Sequence, residues 1–301
     1  MERDLIGYGG EPPHAQWPGD ARVAVNIVVN VEEGSEPGPL DGDAEAETAL
    51  TELTAFRVPD GDRDLAAESV FEYGARAGFW RVHRLFTERG LPYTAFACAL
   101  AVERNPAIAR ALAEGPADLC GHGYRWENHF LLDAETETAL IRQARAMLTE
   151  RTGKPVPGWY CRYGPSVNTR RIVAGLEGIR YGSDSYADDL PYWMHFDGQP
   201  HLIVPYALDT NDAQFKGQAG FGTGADFFTY LHDAVTLLRE EGKHRPKMLS
   251  VGLHPRLVGR PGRASGLARF LDALLGMDDV WVCNRIDIAE HWHAKHRPQA
   301  N

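Results

Sequence analysis

The sequence predicts an α/β protein that folds as a single incomplete TIM-like (β/α)7 barrel. Short apolar runs, typical of buried parallel strands, alternate along the chain with longer stretches of helical periodicity, and this alternation indicates βαβ units. About seven such units favour a closed or nearly closed barrel over an open doubly wound sheet. No GxGxxG motif follows the first strand, which further weakens the open dinucleotide-binding alternative.

The first predicted strand, residues 22–30, is apolar or β-branched at nearly every position, as a parallel strand buried on both faces requires. It ends abruptly in VEEGSE, where charged residues replace apolar ones. Further strands are predicted at residues 93–97, 119–120, 158–160, 201–205, 247–253 and 280–283. Helices are predicted at residues 73–89, 105–114, 134–151, 168–176, 226–241, 263–275 and 285–294.

The chain shows no internal division. Neither a fixed-period repeat nor a Ser/Gly-rich linker separates one part of the sequence from another. We therefore expect one domain over residues 1–301, with an irregular N-terminal extension at residues 1–20.

Composition narrows the classes of partner. The chain has 42 Asp and Glu against 31 Lys and Arg, for a formal net charge of −11, which repels phosphate backbones and argues against nucleic acid. No segment approaches the roughly 20 apolar residues of a membrane span, and no basic region followed by an apolar one opens the sequence. We therefore expect a cytoplasmic protein with a small-molecule substrate and no membrane partner. Four cysteines without a CxxC pair predict buried free thiols.

Polar residues directly follow the apolar runs, where α/β barrels carry their catalytic groups at the carboxyl ends of strands. The residues in these positions are Glu32, Glu33, His122, Tyr124, Arg125, Trp126, Cys161, Arg162, Tyr163, Asp209, Asn211, Asp212, His254 and Arg256. Two adjacent acids can divide labour, one as general base for a water and the other as metal ligand or hydrogen-bond acceptor. His122 can face the cleft as a metal ligand or polar anchor. Tyr124, Trp126, Trp159 and Trp193 could form an apolar wall around a flat ring.

The order EEG, GHGYRW, an Arg after WY, DTND and LH resembles the polysaccharide deacetylase superfamily, whose members remove acyl groups from amides. The longer segments RDLIGYGGEPPHAQWPG, EYGARAGFWR, HGYRW, NTRR, DDLPYW, PYALDTND and GLHPRLVGRP look like its cofactor-independent allantoinases and cyclic-imide-hydrolase-like members. They run from Asp4 to about His293. The resemblance implies a polysaccharide-deacetylase-like barrel, cleavage of a non-peptide C–N bond, and a homo-oligomer in which EYGARAGFWR packs near a neighbour's site.

The resemblance also implies roles. Glu32 would act as general base and Glu33 would help to hold a metal, at positions where the family usually has Asp. Arg162 would orient the catalytic acid, and His254 would protonate the leaving nitrogen, because an amine leaves poorly unless protonated. The predicted catalytic residues are Glu32, Glu33, Arg162, Asp209 and His254. The predicted substrate-binding residues are His122, Tyr124, Trp126, Trp159, Trp193 and Asp212. Either aspartate could orient His254 or bind substrate N–H groups.

A metal is the open question. Glu33 and His122 form a partial ligand set, but metal-dependent members of the family carry a second histidine where this chain has Trp126. Zinc usually needs three protein ligands beside its water. We therefore expect that no cofactor is required, with Zn as the alternative.

The leading functional hypothesis is hydrolysis of a small cyclic amide, such as allantoin, another ureide or an imide, by water activated at Glu32 and Glu33. One alternative is a metal-dependent deacetylase of N-acetylated sugars or peptidoglycan. Another is a non-catalytic binding protein on the same barrel. Cys161, beside Arg162, is a further candidate nucleophile, which the resemblance does not support.

Overall fold

The computed structural model describes residues 3–48, 50–53, 58–217 and 220–298. Within these ranges, nine strands form one sheet: β1 (Val23–Val31), β2 (Tyr93–Ala97), β3 (Ala117–Gly121), β4 (Gly158–Trp159), β5 (Tyr181–Gly182), β6 (Tyr192–Phe196), β7 (Gln199–Ile203), β8 (Lys247–Leu253) and β9 (Val280–Cys283). Their order is β6-β7-β5-β4-β3-β2-β1-β8, with β9 paired to β1. The β6–β7 hairpin is antiparallel, and the other pairs are parallel.

β1 pairs with three other strands. β8 pairs with residues 23–29 along one edge, and β9 and β2 share the other edge at residues 23–26 and 28–31. All nine residues of β1 are buried. Its two asparagines are tolerated there because they donate to main-chain oxygens of β8, Asn26 to Leu249 at 3.1 Å and Asn30 to Leu253 at 3.0 Å.

Helices connect the strands and cover the sheet: α1 (Leu65–Tyr73), α2 (Phe79–Thr87), α3 (Ala99–Arg104), α4 (Pro106–Glu114), α5 (Ala134–Thr152), α6 (Thr169–Ala174), α7 (Gly224–Glu241), α8 (Pro261–Leu275) and α9 (Arg285–Lys295). A π-helical segment, Gly74–Gly78, continues α1 into α2. Side chains define several helix starts. Asp64 accepts from the first amides of α1, and capping boxes open α7 and α9.

The barrel is incomplete. In the part of the chain that the structure describes, no ladder joins β7 to β8, and one isolated bridge, between Asn211 and Gly252, lies near that gap. The predicted α/β fold class is confirmed. Residues 3–22 precede β1 without regular structure except for the short turn at Pro18–Asp20. None of the described helices is long and apolar enough to cross a membrane.

Four elements differ from the sequence-based prediction. α1 and α3 are additional helices, and β5 and β6 are additional strands. β5 has only two residues, too few for a periodic pattern. β6 and β7 form a hairpin whose turn carries Asp197 and Gly198 at φ 52° and 78°, the Asp-Gly signature of a type I′ turn. That dipeptide was a readable signal for β6.

The barrel interior contains a buried cation. Arg285, the first residue of α9, is fully buried and its guanidinium reaches across several strands. Nη1 donates to Asn26 Oδ1 at 2.6 Å and to Ser250 Oγ at 2.9 Å, Nη2 donates to the main-chain oxygen of Pro205 at 2.7 Å, and Nε donates to Ser183 Oγ at 3.2 Å. One side chain thus ties together β1, β8 and the segments that follow β5 and β7.

Candidate active site

Four predicted residues meet at the carboxyl ends of the strands, around the carboxylate of Glu32. Glu32 directly follows β1, His122 directly follows β3, and His254 directly follows β8. Glu32 Oε1 lies 3.1 Å from His122 Nε2 and 3.0 Å from Arg162 Nε. It lies 3.7 Å from His254 Nε2. A further residue, Arg256, places Nη1 2.9 Å from Glu32 Oε2.

Glu32 is a buried carboxylate held in its charged form. The residue is 1% exposed, and burial alone would raise its pKa. The positive charges of Arg162, Arg256 and His254 overcome that effect and hold the pKa of Glu32 well below its usual value. Glu32 is therefore ionised at neutral pH and can accept a proton from an attacking water.

His122 is fixed in one orientation beside Glu32. Its Nδ1 lies 2.8 Å from the main-chain oxygen of Tyr160, and its ring stacks on the Tyr160 ring. Because a carbonyl oxygen can only accept, Nδ1 carries the proton and donates it. Burial lowers the pKa of His122, and the contact with Glu32 opposes that effect. His122 Nε2 lies 3.1 Å from Glu32 Oε1, so this contact contains a proton only when one of the two groups is protonated.

His254 is oriented by Asp212, a fully buried residue at the start of the 3-10 helix Asp212–Lys216. His254 Nδ1 donates to Asp212 Oδ1 at 2.6 Å. Asp212 Oδ2 accepts the main-chain N–H groups of His254 at 2.7 Å and Val258 at 3.1 Å. The carboxylate thereby orients the ring, with Nδ1–H bound to Asp212 and Nε2 directed towards Glu32. Asp212, predicted as a substrate-binding residue, is a positioning residue in this geometry.

Asp209, expected near His254, lies elsewhere. It is exposed, and its carboxylate accepts the hydroxyl hydrogen of Tyr230 on α7 at 3.1 Å. The LDTND segment reaches the site only where Asn211 bridges to Gly252 and the chain turns into the 3-10 helix. The second aspartate of the motif therefore contacts His254, and the first does not.

Glu33 faces a different environment from Glu32. Its Oε1 accepts from both the main-chain N–H and Nη1 of Arg256, each at 3.2 Å. Burial raises the pKa of Glu33, with Arg256 opposing that effect and Glu32 reinforcing it. Room for the carboxylate comes from Gly74, where a β-carbon would lie 2.5 Å from Glu33 Oε1 and 2.7 Å from Glu33 Cγ. Two adjacent acids therefore share one arginine.

A substitution at Gly74 tests this packing. Gly74 has ordinary helical dihedral angles, so alanine would meet no backbone strain. Its methyl group would still displace Glu33, and such overpacking costs about 1–3 kcal/mol. We expect Gly74→Ala to lower the free energy of unfolding by about 1–2 kcal/mol and kcat by about tenfold, because Glu33 would release Arg256.

Urea unfolding and steady-state kinetics measure both effects. Gly262→Ala is the matched control, because a β-carbon at this helical glycine meets nothing within 4 Å. The control should change stability by less than about 1 kcal/mol. Equal behaviour of the two variants would show that Glu33 moves aside freely.

Trp126 lies directly beneath the charged groups. The Arg162 guanidinium carbon lies 3.7 Å from the centre of its ring, and that of Arg256 lies 5.2 Å away. The ring is 3% exposed and meets Phe71 of α1 edge-on at 5.5 Å. Trp126 thus supports two guanidinium groups.

The other predicted aromatics do not form a wall around this site. Trp159 is fully buried in the main core, with its indole N–H donating to Cys161 Sγ at 3.3 Å. Trp193 donates to the main-chain oxygen of His296 at 2.5 Å, near the end of α9. Tyr124 packs against the main core. Cys161 is itself fully buried, and burial raises the pKa of its thiol well above the usual value, so it is no nucleophile.

A long loop lies over the site. Residues 34–48, 50–53 and 58–64, here called the covering segment, carry eight acidic residues between positions 36 and 62. The contacts that tie this segment to the barrel include those of Arg104 with Asp41 at 3.0 Å, Arg125 with Asp43 at 2.5 Å, Tyr163 with Glu47, Arg256 Nε with the oxygen of Leu50 at 3.2 Å, and Arg263 with Glu52 at 2.7 Å. The carboxylates of Glu32 and Glu33 are buried beneath this segment.

The residues around Glu32 do not fit a zinc ion. In the described ranges, no group of three His, Cys, Asp or Glu side chains is arranged to hold a metal. Glu33 and His122, the predicted partial ligand set, bind different partners, Arg256 and Glu32. Two guanidinium groups contact the carboxylate that a cation would need.

The sequence-based prediction placed Arg256 after a strand together with His254 but assigned it no role. Arg256 stands two positions after His254 in the segment GLHPRLVGRP, so the motif that identified the histidine also contained the arginine. Tyr160, whose ring and carbonyl orient His122, follows the short strand β4 and was assigned no role.

Known proteins resemble this chain over nearly its whole length. The polysaccharide deacetylase family model matches residues 54–182. A putative polysaccharide deacetylase of Schizosaccharomyces pombe is 39% identical over 313 residues, covering 98% of both chains. Among solved structures, a probable polysaccharide deacetylase from Pseudomonas aeruginosa is 48% identical with a TM-score of 0.95, covering 99% of this chain and 100% of that one. PuuE allantoinase is 46% identical with a TM-score of 0.95, covering 99% of each chain.

The relatives extend over nearly the entire sequence, including the segments that carry Glu32 and His254. The resemblance seen in the motifs is thereby confirmed, and the chain belongs to the polysaccharide deacetylase family.

Proposed function

We propose that the protein hydrolyses the C–N bond of a small cyclic amide, with allantoin, other ureides and cyclic imides as the candidate substrates. The observation that carries the proposal is the pairing of an ionised Glu32 with His254 Nε2 at 3.7 Å, in a site that does not fit zinc. The 46% identity to PuuE allantoinase supports a cyclic ureide as the substrate.

The geometry supplies a base and an acid for one bond. As water attacks the carbonyl carbon, Glu32 Oε1 takes a proton, and the lone pair on His122 Nε2 can stabilise the resulting carboxylic acid by accepting its hydrogen. His254, with Nδ1–H donated to Asp212, gives the proton on Nε2 to the leaving nitrogen. The C–N bond breaks, the ring opens, and the proton held at Glu32 restores His254.

The burial of the site suits a small neutral substrate. Glu32, His122 and His254 are each at most 5% exposed, beneath the acidic covering segment. Such a cover disfavours anionic ligands. A deacetylase acting on N-acetylated sugars is the second candidate, favoured by the 48% identity to a probable polysaccharide deacetylase.

A substrate screen in the presence and absence of chelator separates the two candidates. We expect hydrolysis of at least one compound among allantoin, hydantoin, dihydrouracil and succinimide, and no release of acetate from chitooligosaccharides. Because the ligand set does not fit zinc, activity should survive prolonged treatment with EDTA. Complete loss with EDTA, restored by zinc, together with near-stoichiometric metal in the purified protein, would favour the deacetylase.

A further inference from the structure

The low basicity of Glu32 leaves part of the reaction unexplained. A carboxylate whose pKa is held well below the usual value is a weak base for water. Attack on an amide carbonyl by a weakly activated water needs a positive group at the carbonyl oxygen, where negative charge develops. The described residues contain such groups in the two guanidiniums that flank Trp126.

Four buried N–H donors in this cluster have no hydrogen-bond acceptor among the described residues. They are Arg162 Nε and Nη2, Arg256 Nη2 and Trp126 Nε1. A buried donor without a partner costs about 1–3 kcal/mol, and more when it is charged. These donors, around one aromatic ring and beside Glu32, are available to bind an oxygen atom of a ligand.

Arg256 is the more firmly held of the two arginines. It is fully buried, whereas the Arg162 side chain is 9% exposed. Its Nη1 contacts Glu32 at 2.9 Å and Glu33 at 3.2 Å, and its Nε donates to the main-chain oxygen of Leu50 at 3.2 Å. With Nε and Nη1 engaged, the direction of Nη2 is fixed before any substrate arrives, as electrostatic preorganisation requires.

We propose that Arg256 is a catalytic residue whose Nη2 donates to the carbonyl oxygen of the scissile amide as that oxygen becomes negative. Glu33 is the positioning residue that holds Arg256 for this contact. The assignment deepens the proposed function and rests on it for the identity of the amide. It explains why two adjacent acids follow β1, since Glu32 receives the proton and Glu33 orients the cation.

Arg256→Ala and Arg256→Lys test the proposal, assayed on whichever amide the wild-type enzyme turns over fastest. Removing one preorganised donor to an oxyanion typically costs about 100–1000-fold in kcat. We expect Arg256→Ala to lower kcat by at least about 100-fold and to change KM by less than about threefold. Guanidinium chloride should raise the kcat of Arg256→Ala at least about tenfold, and ammonium chloride at equal ionic strength should not. Arg256→Lys should lose at least about tenfold in kcat.

The pH profile provides a second readout, which tests the contact between Arg256 and Glu32. Arg256 lowers the pKa of Glu32, so its removal raises that pKa, and the acidic limb of kcat/KM should move to higher pH. Arg180→Met is the matched control. It removes a guanidinium that pairs with Glu290 on the surface without contacting Glu32, and it should keep wild-type kcat and show no response to guanidinium.

The following outcomes overturn the assignment of Arg256 as a catalytic residue. In a folded Arg256→Ala, a kcat within about threefold of wild type, or a loss that guanidinium does not restore, contradicts a catalytic role. If Arg256→Ala fails to fold, Arg256→Lys decides, and a kcat within about threefold of wild type refutes the proposal. A wild-type enzyme that deacetylates chitooligosaccharides but ignores cyclic amides refutes the proposed substrate class, and the Arg256 variants are then read on the acetylated substrate.

Discussion

Glu32→Gln is expected to lower kcat by at least about 100-fold, because glutamine cannot take a proton from water. His254→Ala is expected to have an effect of similar size through loss of proton donation to the leaving nitrogen. Both side chains are buried within 3.7 Å of each other and serve one reaction. The double variant should therefore be far less impaired than the product of the two single effects.

Single-turnover and steady-state kinetics on the best amide substrate measure these losses. Circular dichroism and thermal unfolding check that the fold is intact. Glu52→Gln is the matched control, because this glutamate is half exposed, pairs with Arg263 and does not contact the catalytic cluster. A near-wild-type kcat in either single variant means that the substituted residue is structural.

Arg285→Met is expected to lower the free energy of unfolding by about 2–6 kcal/mol, because two buried acceptors would lose their charged donor. Methionine fills similar space but leaves Asn26 Oδ1 and the main-chain oxygen of Pro205 without their donor. Each buried acceptor without a partner costs about 1–3 kcal/mol.

Urea denaturation measures this loss. Arg180→Met serves as the control, because Arg180 pairs with Glu290 at 2.6 Å on the surface, where such pairs contribute about 0–1 kcal/mol. Similar losses in the two variants would mean that the barrel interior accommodates methionine in place of Arg285 without a further loss of stability.

Much of the site could be predicted from the sequence, because the position of a side chain in a parallel barrel follows from where its strand ends. Runs of buried apolar residues are readable, and the polar residue that follows each run must lie at the same edge of the sheet. Glu32, His122 and His254 were found in this way, and the structure places all three in contact.

Residues whose direction depends on a turn could not be predicted in the same way. Arg256 folds back to Glu32 because the chain after β8 turns at once, with the amides of Leu257 and Val258 bonded to the oxygen of His254. Asp212 reaches His254 because a 3-10 helix starts there. Neither turn has a periodic pattern that would reveal it beforehand.

The sequence-based prediction also did not find which way the aromatic side chains point, because neighbouring residues of a strand face opposite sides of the sheet. Successive residues of a strand point to opposite faces. Trp159 points away from the cleft and packs on Gly121, where a β-carbon would lie 2.5 Å from the indole ring. Tyr160, one residue later, points to the cleft and stacks on His122. Two aromatics in sequence could not both line a substrate pocket.

The π-helical turn between α1 and α2 determines how the residues of α1 are rotated about the helix axis relative to those of α2. Upstream of it, Phe71 packs edge-on against Trp126, and downstream Phe79 belongs to the main core. Each residue of a helix adds about 100° of rotation, so an α-helical path with one residue fewer would turn Phe71 and Gly74 away by that angle. Glu33 would then lose the space it occupies beside Gly74. The one extra residue of the π-helical turn GARAG thus keeps Phe71, which packs against Trp126, and Gly74, which leaves space for Glu33, on the same side of the helix.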